Sequence, residues 1–347
     1  MKLQAASWIC PKEDMGSVCP VFWKEFSCPK PVIKAEMWLT ALGVYEARLN
    51  GQRVGDYVLA PGWTAYEKRL QYQQYDITKL LQENNSITVT VGRGWMRSRI
   101  GAGDIEGRMR QPCGILGAIH ILYYDGSEDI LHTDSSWVCA ESGTRFSEIY
   151  DGEIHDATFE PENWQSVRVL SWPKEILIPQ EGDEIREMER VSAKSVIITP
   201  RGETVVDFGQ EVTGYVEFTV EAKGQEQIRI QHGEVLDKDG NFYNENYRSA
   251  KSEIRYTCKE GIQTWHPTLT FFGFRYIKIE GLAEMPKPEQ FTAIVVYSNI
   301  RQTGTLNCSN SKLNQLFSNI FWGQKGNFLD VPTDCPQRDE RLGWTGD

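Results

Sequence analysis

AEMWLTALGVYEARLNGQRVG, residues 35–55, decides how this chain is read. Met37, Leu39 and Ala41, then Tyr45, Ala47 and Leu49, alternate with polar or outward-facing positions. A period of two is the mark of a half-buried strand. Asn50-Gly51 then supplies the left-handed pair that a two-residue hairpin requires. The stretch therefore predicts antiparallel strands closed by a tight turn. Working outward, NNSITVTVGRG (84–94) is another period-two strand. GAIHILYYDGSEDILHT (117–133) is a second hairpin, turning at Asp125-Gly126. Only DITKLLQEN (76–84) reads as a short helical turn. Short strands at this spacing, without long helical patterns, predict a β-sandwich or jelly roll over residues 1–185.

The stretch SWPKEILIPQEGDEIREMERV (171–191) reads as a connector. Alternation resumes in ETVVDFGQEVTGYVEFTVEA (203–222), EQIRIQHGEVLDKDG (226–240), EIRYTCKEG (253–261) and FFGFRYIKIEG (271–281). These predict a second β-sandwich over residues 186–300. The period then changes. Leu313, Leu316, Phe317, Ile320 and Phe321 lie at helical spacing, which predicts a helix over 311–326 with Ser309 or Ser311 as N-cap. Residues 301–347 thus open a third, helical region. One helix cannot bury its apolar face alone, so the expectation is a chain that stops early in this region.

Composition bounds the function. The chain has 347 residues, 40% of them hydrophobic and 24% charged, as in ordinary globular proteins. Its net charge of −11 repels nucleic acid and anionic lipid and favours a neutral partner such as a sugar. Eleven Trp and 14 Tyr suit both β packing and sugar stacking. No apolar run is long enough to span a membrane. Met1 is followed by no apolar leader, so the expected location is cytoplasmic. The eight cysteines match no zinc spacing and are expected to be free thiols, and no metal or cofactor is expected.

The densest polar cluster is DVPTDCPQRDERLGWTGD (330–347). Its prolines and glycines predict an ordered loop rather than a helix. Asp334, Asp339, Glu340 and Asp347 place four carboxylates within fourteen residues. Crowded carboxylates repel, so one tends to keep its proton, which is what glycosidic-bond cleavage needs. Arg338 and Arg341 can hold others ionised, and Trp344 offers a flat face to a sugar ring. Chemistry alone leaves a second reading open: a salt-bridged surface loop with Trp344 as its anchor.

The loop DCPQRDERLGWTGD resembles the one that opens the catalytic domain of bacterial α-L-rhamnosidases, glycoside hydrolase family 78. YEARLNGQRVGDYVLAPGWTAYEKRLQYQQYDIT (45–78) is similar to that family's N-terminal β-sandwich. VVDFGQEVTGYVEFTV (205–220), GEVLDKDGNFYNENYRSAKSEIRYTCKEG (233–261) and FFGFRYIKIEG are similar to its concanavalin-like domain. The resemblance implies a mainly β chain: two β-sandwiches followed by the first helix of an incomplete (α/α)6 barrel. It implies hydrolysis of terminal α-L-rhamnosyl residues with inversion and without cofactor. Glu340 falls on the family's general acid. Asp334 and Asp347 fall on carboxylates that hold the rhamnose hydroxyls, Trp344 on the pocket wall, and Arg338 on a loop-orienting position. The general base has no counterpart in these residues, so the chain is expected to be inactive alone, with its acid loop exposed. Two other classes remain in view: a carbohydrate-binding module without turnover, and a barrel glycosidase for another sugar.

Four further features carry weaker readings. Trp63 and Trp95 form a candidate sugar platform, with packing as the plainer role. His232 suggests a base, although a strand-end histidine is more often structural. Asp151, Glu153 and Asp156 offer oxygen ligands to calcium, yet acids in a turn are usually solvated. GRGWMRSRIGAGDIEGRMR (92–110) reads as a long loop without the strand–glycine-loop–helix context of a phosphate site.

Overall fold

The computed structural model describes residues 2–100 and 105–344. The chain divides into two compact units, and the division is not a simple cut. Residues 159–182 join the first unit, whereas 150–158 join 183–347 in the second.

The first unit is built from β1 (Trp8–Cys10), β2 (Pro20–Ser27), β3 (Val32–Ala41), β4 (Val44–Leu49), β5 (Gln52–Arg53), β6 (Leu70–Asp76) and β7 (Asn84–Gly92). The five-residue α1 (Ile105–Met109), β8 (Ile115–Tyr123) and β9 (Glu128–His132) follow. One sheet runs β1-β8-β3-β6 with β9 on β8, and the other runs β2-β7-β4-β5. The expected hairpin is present: Leu49 faces Gln52, and Asn50 and Gly51 both have positive φ, 53° and 79°. Side chains at alternate positions of the two sheets, among them Phe22, Leu39, Val89 and Ile119, meet in one core. The Asp125-Gly126 hairpin also forms, joining β8 to β9. DITKLLQEN yields a single 3-10 turn, Thr78–Leu80. The reading of 92–110 as loop missed α1, and residues 101–104 of that stretch lie outside the described residues.

The second unit contains β10 (Gly152–Asp156), β11 (Ile185–Ser192), β12 (Thr204–Lys223), β13 (Gln227–Gly233), β14 (Glu253–Thr257), β15 (Phe272–Glu280), β16 (Phe291–Ser298) and α2 (Ser311–Gly326). Its sheet runs β10-β14-β13-β15-β12-β16-β11, antiparallel except between β10 and β14. Phe208, Phe218, Phe274 and Ile277 are fully buried on it. The twenty-residue β12 bends at a bulge between Asp207 and Val212, where its register against β15 shifts. Just before the bulge, Asp207 takes two hydrogen bonds from Arg275, at 2.8 and 2.9 Å.

The chain is mainly β, as expected, but the connector reading fails within 171–191. Residues 177–179 and 185–192 are strands. The second is an edge strand with a bulge between Glu187 and Glu189. Its charged residues, Arg186, Glu187, Glu189 and Arg190, blunt an edge against mispairing and mask the alternation. The helix covers 311–326 as predicted, but its cap is Asn310, whose Oδ1 accepts from the N–H of Lys312 at 3.0 Å. Its apolar stripe is open: Leu313, Leu316 and Ile320 are 48–60% exposed. No helix among the described residues is long and apolar enough to cross a membrane.

Candidate active site

The loop after α2 closes on itself. The N–H of Asp334 donates to Leu342 O at 3.0 Å, and the N–H of Trp344 donates to Pro332 O at 2.8 Å. These bonds hold Asp334, Arg338 and Glu340 together. Arg338 donates through one Nη to Asp334 Oδ2 at 2.7 Å and stands 2.9 Å from Glu340 Oε2. Arg338, first by its hydrogen bond, draws the Asp334 carboxyl below its usual range. One ligand atom each of Asp334, Cys335 and Glu340 fall within 4.8 Å of one another. Arg338 already bridges the two carboxylates, so the charge a metal ion would supply is present as a guanidinium. Trp344 is 51% exposed. Asp347 lies outside the described residues.

Among the described residues the expectation of an exposed loop holds only in part, at Pro332, Leu342, Gly343 and Trp344. Arg341 is fully buried, and Thr333 and Cys335 are buried beside it. Arg341 anchors the loop to the chain beneath it. Its φ is +50°, a left-handed conformation costly for a side chain of this size, and it turns inward. There its guanidinium donates to three backbone carbonyls: Phe271 at 3.0 Å, Gln337 at 3.0 Å and Arg338 at 3.2 Å. The rings of Phe271 and Tyr150 lie 4.8 and 5.4 Å from it, in cation–π range.

Residues distant in sequence, most of them in turns and loops, complete the bed. Tyr150 donates its hydroxyl to Glu340 O at 2.5 Å. Arg248 reaches Glu340 Oε2 at 3.2 Å and Asp339 Oδ1 at 3.7 Å. Ser249 donates through backbone N–H and hydroxyl to Asp339 Oδ2, at 3.1 and 2.6 Å. Gln337 donates to Glu234, and Ser252 to Gln337 O. Gly273 permits the approach: a Cβ there would stand 2.7 Å from Pro336 Cγ. None of these partners carried a local signal. Arg248 lies 92 residues from Glu340, in a polar run that reads as a turn.

His232 lies beneath this loop and is structural. It is fully buried, stacked on Phe272 at 3.8 Å, with Nδ1 donating to Ser252 O at 2.8 Å. Burial, aided by the nearby Arg341 charge, pushes its pKa down to about 3. Glu211 behaves oppositely: burial, then the charge of Glu234, pushes it up to about 7. The signs follow from linkage. Between pH ~6.5 and ~3 the unfolded state binds a proton at His232 that the folded state refuses, so stability falls as pH drops. Glu211 keeps a proton in the folded state up to about pH 7, so its contribution is lost as pH rises. His232→Phe should therefore gain stability at pH 4.5 relative to pH 7 compared with the parent, and Glu211→Gln should show the reverse. Denaturation midpoints measured across that range check this; parallel profiles for all three proteins would refute it.

The other sequence candidates are placed as follows. Trp63 and Trp95 stack at 6.1 Å with planes 6° apart. Trp95 is only 1% exposed, so the platform reading fails for it and survives for Trp63 alone. The three acids considered for calcium serve other groups. Glu153 is buried and accepts from the N–H groups of Thr268 and Leu269, Asp151 faces Lys251, and Asp156 accepts from Thr158.

Comparison with known proteins agrees with this architecture. Residues 30–189 match the α-L-rhamnosidase N-terminal domain. Residues 197–297 match the bacterial α-L-rhamnosidase concanavalin-like domain, and 301–347 match the six-hairpin glycosidase domain. An α-L-rhamnosidase of Formosa agariphila is 37% identical over 93% of this chain, and one of an Alteromonas species 36% over 99%. The chain spans 37% and 40% of their lengths. Among solved structures, the Aspergillus terreus α-L-rhamnosidase superposes with a TM-score of 0.91 at 38% identity. That match covers 99% of this chain and 42% of the other. The Streptomyces avermitilis α-L-rhamnosidase complexed with L-rhamnose gives 0.90 at 36%, covering 95% and 33%. The chain belongs to the bacterial α-L-rhamnosidase family, glycoside hydrolase family 78.

Proposed function

We propose that these residues supply the acid half of an inverting α-L-rhamnosidase, with Glu340 as general acid. The observation that carries the reading is the Asp334–Arg338–Glu340 cluster, held in a self-closed loop on the concanavalin-like sheet. Glu340 protonates the departing glycosidic oxygen. Asp334 and Asp347 hold rhamnose hydroxyls, and Trp344 stacks on the ring. Arg338 positions Asp334 and Glu340, and both Arg338 and Arg248, which reach the same Glu340 oxygen, must release it before the proton moves. Inversion needs a second carboxylate across the sugar, roughly 6.5–9.5 Å from the acid, to activate water. We assign that base to the remaining hairpins of a whole six-hairpin domain. The 347-residue chain alone should therefore not cleave p-nitrophenyl α-L-rhamnoside, whereas the same residues within a whole six-hairpin domain should. Turnover by the chain alone would mean that the active site lies elsewhere.

The first unit is read as a weak carbohydrate-binding module through the half-buried face of Trp63. Calorimetric titration should give a dissociation constant of about 1 mM for L-rhamnose, lost in Trp63→Ala. Absence of heat in the parent protein would dispose of the module. A cytoplasmic location is part of the same proposal. It is supported by cysteines that no disulfide joins among the described residues, all but Cys308 of them buried.

A further inference from the structure

The first unit carries a cavity of about 630 Å³ between the 10–20 segment, the residues after β7 and the residues after α1. Five cationic side chains line it: Lys12, Arg93, Arg97, Arg110 and Arg168, against the carboxylates of Glu13 and Asp14. That excess runs against the grain of a chain with net charge −11. The cations are also unequally satisfied. Arg110 pairs with Glu106 at 2.9 Å, and Arg93 lies over the Phe146 ring. Lys12, Arg97 and Arg168 form no ion pair among the described residues, and neither do Glu13 and Asp14. Arg97 is half-buried, and its Nε is sealed from solvent with no hydrogen-bond acceptor. Arg97 lines the cavity without a counter-charge among the described residues, and an anion is the partner that a guanidinium takes there. Met15 and Pro112 add apolar surface to the same wall, of the kind that meets the C–H face of a sugar ring.

We infer that this cavity binds the anionic substituent, a carboxylate or a sulfate ester, of a saccharide. The saccharide part rests on the carbohydrate-acting reading above; the anion part rests on the cavity alone. The guanidinium groups of Arg97 and Arg168 hold the anionic oxygens, and the apolar wall holds the ring. The site is distinct from the rhamnose-handling residues 334–347, which belong to the other unit.

The test is titration of the 347-residue chain with D-glucuronate, glucose 6-sulfate, inorganic sulfate and D-glucose, read by calorimetry. One of the two charged sugars should bind with a constant of about 1 mM, and which one does so distinguishes carboxylate from sulfate. Arg97→Gln should weaken that binding at least about tenfold. Arg168→Gln, an exposed change that leaves the core untouched, should do the same. Raised salt should weaken it further. Three results overturn the inference. Neither charged sugar binds at about ten times the expected constant; glucose binds as well as the charged sugars; or inorganic sulfate binds as tightly as they do, an adventitious ion only. Failure of rhamnoside cleavage would leave the titration unchanged, so the two readings fail separately.

Discussion

Glu340→Gln, in a protein carrying these residues within a whole six-hairpin domain, should lower kcat on an α-L-rhamnoside by about 10²–10⁴-fold. The substitution keeps the size of the side chain and an oxygen for Arg248 and Arg338 to meet. It removes only the proton that the departing oxygen must receive. KM should change little, because the groups assigned to the sugar, Asp334, Asp347 and Trp344, are untouched. A variant with normal kcat and raised KM would recast Glu340 as a binding residue.

Arg341→Met should be among the most destabilising single changes in the second unit. The side chain is fully buried, so truncating its guanidinium strands the carbonyls of Phe271, Gln337 and Arg338. Leaving a buried acceptor without its donor typically costs about 1–3 kcal/mol, and three acceptors are left here. In a unit of this size that lowers Tm by roughly 10 °C. The residue also keeps a left-handed φ of +50°, tolerable only while the surrounding contacts determine it. Without them the loop from Thr333 to Gly343 should leave the sheet, and its amides should lose hydrogen-exchange protection. Circular dichroism melts and hydrogen exchange check both parts. A melt unchanged within a degree would show that the loop is held by something other than Arg341.

Much of the fold was legible because its cause is local. The hairpin at Asn50-Gly51 rests on two adjacent residues that adopt positive φ, and the strands around it on alternation that any reader of the sequence sees. The helix over 311–326 rests on the spacing of five apolar side chains. What escaped is non-local. Gly152–Asp156 joins the second unit only because β14, a hundred residues later, lies parallel to it. The edge strand 185–192 is charged for reasons of edge protection, and charge hid its period. The acid loop was legible as chemistry, since its carboxylates and Trp344 are contiguous. Its support was not. Arginine inside Asp-Glu-Arg reads as a surface residue, and carbonyls brought to it by folding make burial of Arg341 sustainable. Arg248, Ser249 and Tyr150 reach the loop from turns far away in sequence, and no spacing rule connects positions so far apart.

The dependence of the Glu340→Gln defect on the leaving group tests the central claim most directly. An alkyl α-L-rhamnoside expels a basic oxygen that needs a proton as the bond breaks, whereas a p-nitrophenyl α-L-rhamnoside expels one that needs little. If Glu340 is the general acid, the variant should lose far more kcat/KM on the alkyl substrate than on the p-nitrophenyl one, within the range of about 10²–10⁴-fold expected for acid catalysis. Equal losses on the two substrates, or no loss on either, would contradict it.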